Sequence, residues 1–154
     1  MEIRLATLND VPDLVKMGAS FHASSPYATL TGLDLNAIEA TAVMLVNRPD
    51  ADVLVATTSV SSEHTLDPRT VGMLGLFLHH HPISGARVAS ELFWWVEPEY
   101  RGLTGLKLLH RAERWATERG AQVLQMIAPS PEVERLYDRS GFTRVEVSYQ
   151  KRLV

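Results

Sequence analysis

Glu91-Leu-Phe-Trp-Trp-Val-Glu-Pro-Glu-Tyr-Arg-Gly-Leu-Thr-Gly-Leu-Lys107 is the stretch on which the reading of this chain turns. The apolar run from Val88 to Val96 is too continuous for a strand with one wet face, so it predicts a strand inside a sheet covered on both sides. It ends through Glu97-Pro98 and passes into a helix at Arg101, with Gly102 and Gly105 flanking the turn. The first N–H groups of a helix have no partner within it, and the helix dipole adds partial positive charge there. Glycine lets an anionic group approach that backbone without meeting a Cβ. Arg101 adds a cation and Lys107 follows within two turns, so phosphate or pyrophosphate suits such a turn. The same residues also fit a strand–turn–helix that uses glycine only to turn. Neither a Walker pattern nor GxGxxG occurs, which argues against ATP and NAD.

Outward from this stretch, Arg101 to Gly120 is the clearest helix, with Gly105, Leu108, Leu109, Ala112 and Ala116 along one side. Gln122 to Ala128 predicts a strand, Ser130-Pro131 opens a short helix that Gly141 ends, and Phe142 to Gln150 predicts a last strand. Upstream, Thr70 to Leu78 is a second buried run, joined to Val88 by a turn through His80-His81-Pro82-Ile83-Ser84-Gly85. Asp52 to Val60 is β-branched and apolar, and the polar stretch Ser61 to Arg69 predicts a hairpin loop. Met1 to Thr7 predicts a first strand. Asn9 or Asp10 caps a helix carrying Pro12, Leu14, Met17, Gly18 and Phe21, and a second helix runs from Leu33 to Asn47. The order is β-α-α-β-β-β-α-β-α-β: an α/β fold with a mixed sheet and helices on both faces, in one domain spanning residues 1–154.

Of the 154 residues 45% are apolar and 21% charged, ordinary globular composition that argues against disorder. The net charge of -3 supplies no overall positive field for nucleic acid or an anionic membrane. With no cysteine there is no disulfide, thiolate metal site or cysteine nucleophile. The longest apolar run, Val71 to Leu78, is too short to cross a bilayer, and the first ten residues hold no signal segment. A soluble, cytoplasmic protein without nucleic-acid or membrane partners is the expectation.

Val96-Glu97-Pro98-Glu99-Tyr100-Arg101-Gly102 resembles the core motif of the GNAT superfamily of acetyl-CoA-dependent N-acetyltransferases. That motif is a strand ending in V-x-P-x-[YF] followed by [QR]-x-x-G-x-[GA] at a helix start. Leu136-Tyr137-Asp138-Arg139-Ser140-Gly141-Phe142 resembles the family's late L-Y-x-x-x-G-F signature, and Ile3-Arg4-Leu5-Ala6-Thr7 with Asp10 and Leu14 resembles its opening strand and helix. The likeness covers nearly the whole chain. It departs at Thr104 and Leu106, where the family has Gly and Gly or Ala, with Gly105 between them.

The resemblance implies acetyl transfer from acetyl-CoA directly to an amine of a small molecule or protein. It implies a V-shaped opening where the fourth and fifth strands part, with pantetheine on the backbone near Trp95 and Val96. The pyrophosphate would lie on the N–H groups of Arg101, Gly102, Leu103, Thr104, Gly105 and Leu106. Homodimers are common in this family. Tyr137 occupies the family's tyrosine position and is the candidate general acid, since a phenol of pKa about 10 can hydrogen-bond and protonate a departing thiolate of pKa about 8.5. Glu91, among Leu92, Phe93 and Trp94, is the candidate base, because apolar surroundings raise a carboxyl pKa. A core role for Tyr137 and a solvent-facing strand start for Glu91 fit the same positions. His79, His80 and His81 offer another base, but neighbours on a strand alternate faces and cannot converge on one metal ion. A GNAT-like module that binds acyl-CoA without transfer is the competing reading, motivated by the altered Thr104-Gly105-Leu106 stretch.

Overall fold

The computed structural model describes residues 1–62 and 65–154, and side chains outside residues 60–67. Its strands are β1 (Glu2–Leu5), β2 (Ala51–Ser62), β3 (Thr65–His80), β4 (Arg87–Val96) and β5 (Val123–Gln125). Its α-helices are α1 (Val11–Ser24), α2 (Leu35–Asn47), α3 (Leu103–Glu118) and α4 (Pro131–Arg139). The strands form one sheet in the order β1-β2-β3-β4-β5, antiparallel except for the parallel pair β4–β5. The expected mixed α/β architecture is therefore present.

Two cores lie on opposite faces of this sheet. Leu108, Ala112, Trp115 and Ala116 of α3 pack on Leu54, Ala56, Val71, Leu74 and Leu76. Leu14 and Met17 of α1 and Ala42 and Leu45 of α2 cover Val53, Val55 and Met73 from the other side. Both faces being covered explains why Thr70 to Leu78 carries no polar alternation. Among the described residues no helix is long and apolar enough to cross a membrane.

Four expectations change. Of the loop foreseen at 61–69, Ser61, Ser62 and residues 65–69 belong to strands, while residues 63 and 64 lie outside the described residues. The fifth strand stops at Gln125 rather than Ala128, because β4 and β5 pair only from Val88↔Val123 to Ser90↔Gln125. Helix α3 starts at Leu103 with Gly102 as its N-cap, which leaves Arg101 outside the helix. Phe142 to Gln150 forms no strand. Among the described residues it pairs with no strand, and Val145, Val147 and Tyr149 are exposed.

Candidate active site

Pairing of the two parallel strands stops at Ser90 and Gln125, and the candidate site is sought in the gap beyond. Antiparallel pairing fixes which backbone groups face it. The Glu97 N–H donates to the Val71 carbonyl at 2.9 Å, and Trp95 lies opposite Met73. Alternation therefore turns Trp95 and Glu97 toward β3, and Trp94 and Val96 toward the side that β5 has left. Of the expected pair, Val96 faces the opening and Trp95 does not. Register with β3 jumps from Gly75↔Phe93 to Leu76↔Glu91, so Leu92 is an extra, unmatched residue in β4 at the point of divergence.

At the mouth of the gap stands the start of α3. The first α-helical bond runs from the Leu106 N–H to the Gly102 carbonyl at 3.2 Å. The N–H groups of Leu103, Thr104 and Gly105 precede it and have no partner among the described residues; that of Leu106, expected as a donor to ligand, is already used. Gly102 adopts φ 87° and ψ -111°, and a Cβ there would meet nothing within 4 Å. A Cβ on Gly105 would come within 3.3 Å of the Trp94 ring. The glycines thus leave open space at one point and admit an indole at the other. Thr104 is buried at the same turn.

The Arg101 side chain is not aimed at this helix start. Its Nε donates to the Val96 carbonyl at 3.1 Å, and its guanidinium lies 4.9 Å from the centre of the Trp95 ring. Arg101 therefore closes off the end of β4, a job invisible in a motif that reads it only as a cation. Lys107 faces a groove with Ile3, His110, Arg111 and Arg114, toward β1.

Glu91 and Tyr137, 46 positions apart in the sequence, meet on one residue that sequence reasoning missed. The Ile127 N–H donates to Glu91 Oε2 at 2.9 Å, and the Tyr137 hydroxyl donates to the Ile127 carbonyl at 3.1 Å. Ile127 contributes only main-chain atoms, so its side chain carries no signal. The sole hint is Pro129 two residues on, which favours extended backbone before it. Burial pushes the Glu91 carboxyl up to about 7, against the opposing pull of the Ile127 N–H. Its residue surface is nevertheless partly exposed, so water reaches it. Burial also raises the Tyr137 phenol above its ordinary value, and the nearby Glu91 charge adds to this.

Trp94 stacks on Tyr137 with ring centres 6.3 Å apart, and Tyr137 touches Phe142 at 5.0 Å. The indole N–H groups of Trp94 and Trp95 are buried without a partner among the described residues. The histidines lie elsewhere. His79 Nε2 is 2.8 Å from the Ser90 hydroxyl, and His81 Nδ1 accepts from the N–H groups of Ile83 and Ser84 in the β3–β4 turn. Among the described residues no group of three His, Asp or Glu side chains could hold a metal ion.

Comparison with known proteins bears on what this site does. Residues 40–142 match the model of the acetyltransferase (GNAT) family. No curated protein matches the sequence. The fold is similar to that of a transcriptional regulator from Bacillus halodurans C-125, with 19% identity over 99% of each chain and a TM-score of 0.75. It is also similar to ribosomal-protein-alanine N-acetyltransferase from Brucella melitensis biovar Abortus 2308, at 23% identity over 99% of this chain and 100% of that one, TM-score 0.68. A third likeness is to an aminoglycoside N-acetyltransferase in complex with CoA, at 18% identity over 98% and 94% of the chains, TM-score 0.73. At such identities these likenesses concern the fold.

Proposed function

The chain belongs to the GNAT acetyltransferase family, and from that membership we propose that it transfers an acetyl group from acetyl-CoA directly to an amine of a small molecule or a protein. The observation that carries this reading is the open helix start beside a divided sheet. Three main-chain donors, at Leu103, Thr104 and Gly105, have no partner among the described residues, next to a Gly102 whose missing Cβ leaves empty space. That arrangement fits a diphosphate without any side chain having to move. The outward main chain of Trp94 and the Val96 N–H fit an amide-bearing arm such as pantetheine, laid along β4 in place of the departed strand, while the Val96 carbonyl stays with Arg101. The unpartnered Trp94 N–H is one more donor that a bound acceptor would satisfy.

Acetyl-CoA, when bound, supplies an activated thioester carbonyl. An acceptor amine resembling lysine has a pKa of about 10.4 and arrives protonated at neutral pH. Glu91, poised near pH 7, takes that proton, directly or through one water, on the carboxylate oxygen that the Ile127 N–H leaves free. As the amine nitrogen bonds the carbonyl carbon and the C–S bond breaks, the Tyr137 hydroxyl, turned from the Ile127 carbonyl, gives its proton to the departing sulfur and regains one from the new amide nitrogen. Its raised pKa keeps it a donor at every working pH. Ile127 holds both groups at rest through its two main-chain atoms. Direct transfer asks for no protein nucleophile, and the chain has no cysteine.

The lack of cysteine also makes the test clean, because any thiol detected belongs to the product. Amine-dependent release of free CoA, scored with a thiol reagent across a panel of small amines and peptide N-termini, is the expected result. A rise in Tm with CoA but no thiol release with any amine would instead mean acyl-CoA binding without transfer. No response of Tm to CoA would remove both readings.

A further inference from the structure

We propose that the cavity between Arg87 and His80, at the end of β4 far from the start of α3, binds a phosphate group. The cavity measures about 170 Å³ and is lined by Asp50, Leu78, His79, His80 and Arg87. Arg87 Nε is buried and has no hydrogen-bond partner among the described residues. A cationic donor taken out of water and left unpaired is costly, and it is satisfied only by an acceptor brought to it. The main chain beneath it is fixed. The Arg87 N–H donates to Gln122 Oε1 at 3.1 Å, and the Arg87 carbonyl accepts from the Gln122 N–H at 2.8 Å.

The neighbouring side chains do not supply the acceptor. Both Asp50 oxygens are taken by Arg48, whose Nε donates to Oδ1 at 2.7 Å and whose Nη2 donates to Oδ2 at 2.6 Å. His79 Nε2 lies 2.8 Å from the Ser90 hydroxyl, so that ring is held in its own network. His80 stands directly opposite Arg87 in the β3–β4 ladder. A guanidinium across from an imidazole is a pair without attraction of its own, and repulsive once the imidazole is charged. An anion between them removes both deficits. The walls also select which anion. The guanidinium fork takes two oxygens in its plane, and His80 offers a donor from the facing strand. A tetrahedral phosphate has a third oxygen for that donor, whereas a carboxylate seated in the fork has used both of its own. Free phosphate and the end group of a small phosphomonoester share this chemistry. β4 has 10 residues, so at about 3.3 Å per residue Arg87 and Val96 stand about 30 Å apart. The cavity is thus distinct from the diphosphate site proposed at α3, and this inference does not depend on acetyl transfer.

The test is a titration of the full chain with inorganic phosphate at constant ionic strength, read by nitrogen–proton NMR at the Arg87 Nε–H. That signal is expected to move and saturate with a Kd of about 1 mM. His80→Gln, a change to an exposed side chain, should leave the rest of the spectrum in place and weaken phosphate about tenfold. Glycerol phosphate separates the two sources: tighter binding than inorganic phosphate points to a phosphorylated small molecule, and equal binding to the free ion. No movement of the Arg87 signal up to about 20 mM phosphate overturns the proposal. So does acetate moving it as readily as phosphate does, or a His80→Gln chain that binds phosphate like the parent.

Discussion

The two ends of α3 meet the sheet in opposite ways. At its C-terminal end Trp115 is fully buried, and its Nε1 donates to Asp52 Oδ2 at 2.8 Å. Arg119 Nη2 donates to the same oxygen at 2.6 Å while its guanidinium lies 4.5 Å over the Trp115 ring. The buried indole N–H of that cluster therefore has a protein partner. At the N-terminal end, the N–H groups of Leu103, Thr104 and Gly105 and the Trp94 indole N–H have no partner among the described residues, and the Glu91 carboxyl is raised toward pH 7. One helix is thus anchored by satisfied groups at one end and offers unsatisfied ones at the other. Unsatisfied buried donors cost stability, and it is on their concentration beside the sheet opening that the proposed binding site rests.

The largest test strikes the anchored end. Trp115→Ala opens a cavity and strips Asp52 of a donor, so unfolding in denaturant should show a loss of about 4–5 kcal/mol. Per folded molecule, kcat should stay within about twofold of the parent. A collapse of kcat in protein still folded would mean that the two ends are coupled and the contrast is false.

Tyr137→Phe strikes the open end instead. The ring keeps its packing on Trp94 and Phe142 while the hydroxyl leaves the Ile127 carbonyl. We expect kcat to fall about 10²- to 10³-fold, the range for removing a general acid, with KM nearly unchanged. Stability should change by no more than about 1 kcal/mol, the worth of one hydrogen bond. Equal losses of stability and activity would make Tyr137 a core residue only.

What the sequence made legible follows the same division. The anchored end declares itself by period: Leu108, Leu109, Ala112 and Ala116 at helical spacing are all buried. The α1 stripe through Leu14 and Met17 does likewise. The open end depends on backbone geometry, which side-chain types encode poorly. Arg101 read as a phosphate cation, yet its guanidinium caps Val96, because Trp95 offers a ring at stacking distance. Leu106 read as a donor, but its N–H makes the helix's first internal bond, to the N-cap carbonyl of Gly102. Ile127 was invisible because it acts through atoms every residue has. The tail from Phe142 to Gln150 read as a strand, but strand-like composition says nothing of which edge completes it.

Glu91→Gln tests the open end by pH. The carboxyl must lose its proton to serve as base, so activity of the parent should rise through about pH 7. The glutamine variant should lose that rise and run about 10²-fold slower at pH 8. Stability carries the opposite sign. A folded-state pKa raised above the unfolded value of about 4.3 gives stability present at low pH and lost as pH climbs to about 7. Glu91→Gln should therefore match the parent near pH 4 and exceed it by about 1–3 kcal/mol at pH 8, measured by urea unfolding. A variant slower yet more stable above pH 7 is what a site held against folding predicts, whereas a surface glutamate would move neither quantity.

The mildest test separates backbone strain from ligand contact at Gly102. Its φ of 87° lies where a side chain is disfavoured, although a Cβ would strike no neighbour. Gly102→Ala should cost about 1 kcal/mol in folding through conformation alone. If a diphosphate rests on the following N–H groups, the added methyl occupies its approach, and CoA should bind about tenfold more weakly by calorimetry. Thr104→Ala is the control, since it keeps every main-chain donor and should leave CoA affinity within about twofold. A variant that loses stability without losing CoA would put the diphosphate elsewhere, and the unsatisfied end of α3 would then be a turn and nothing more.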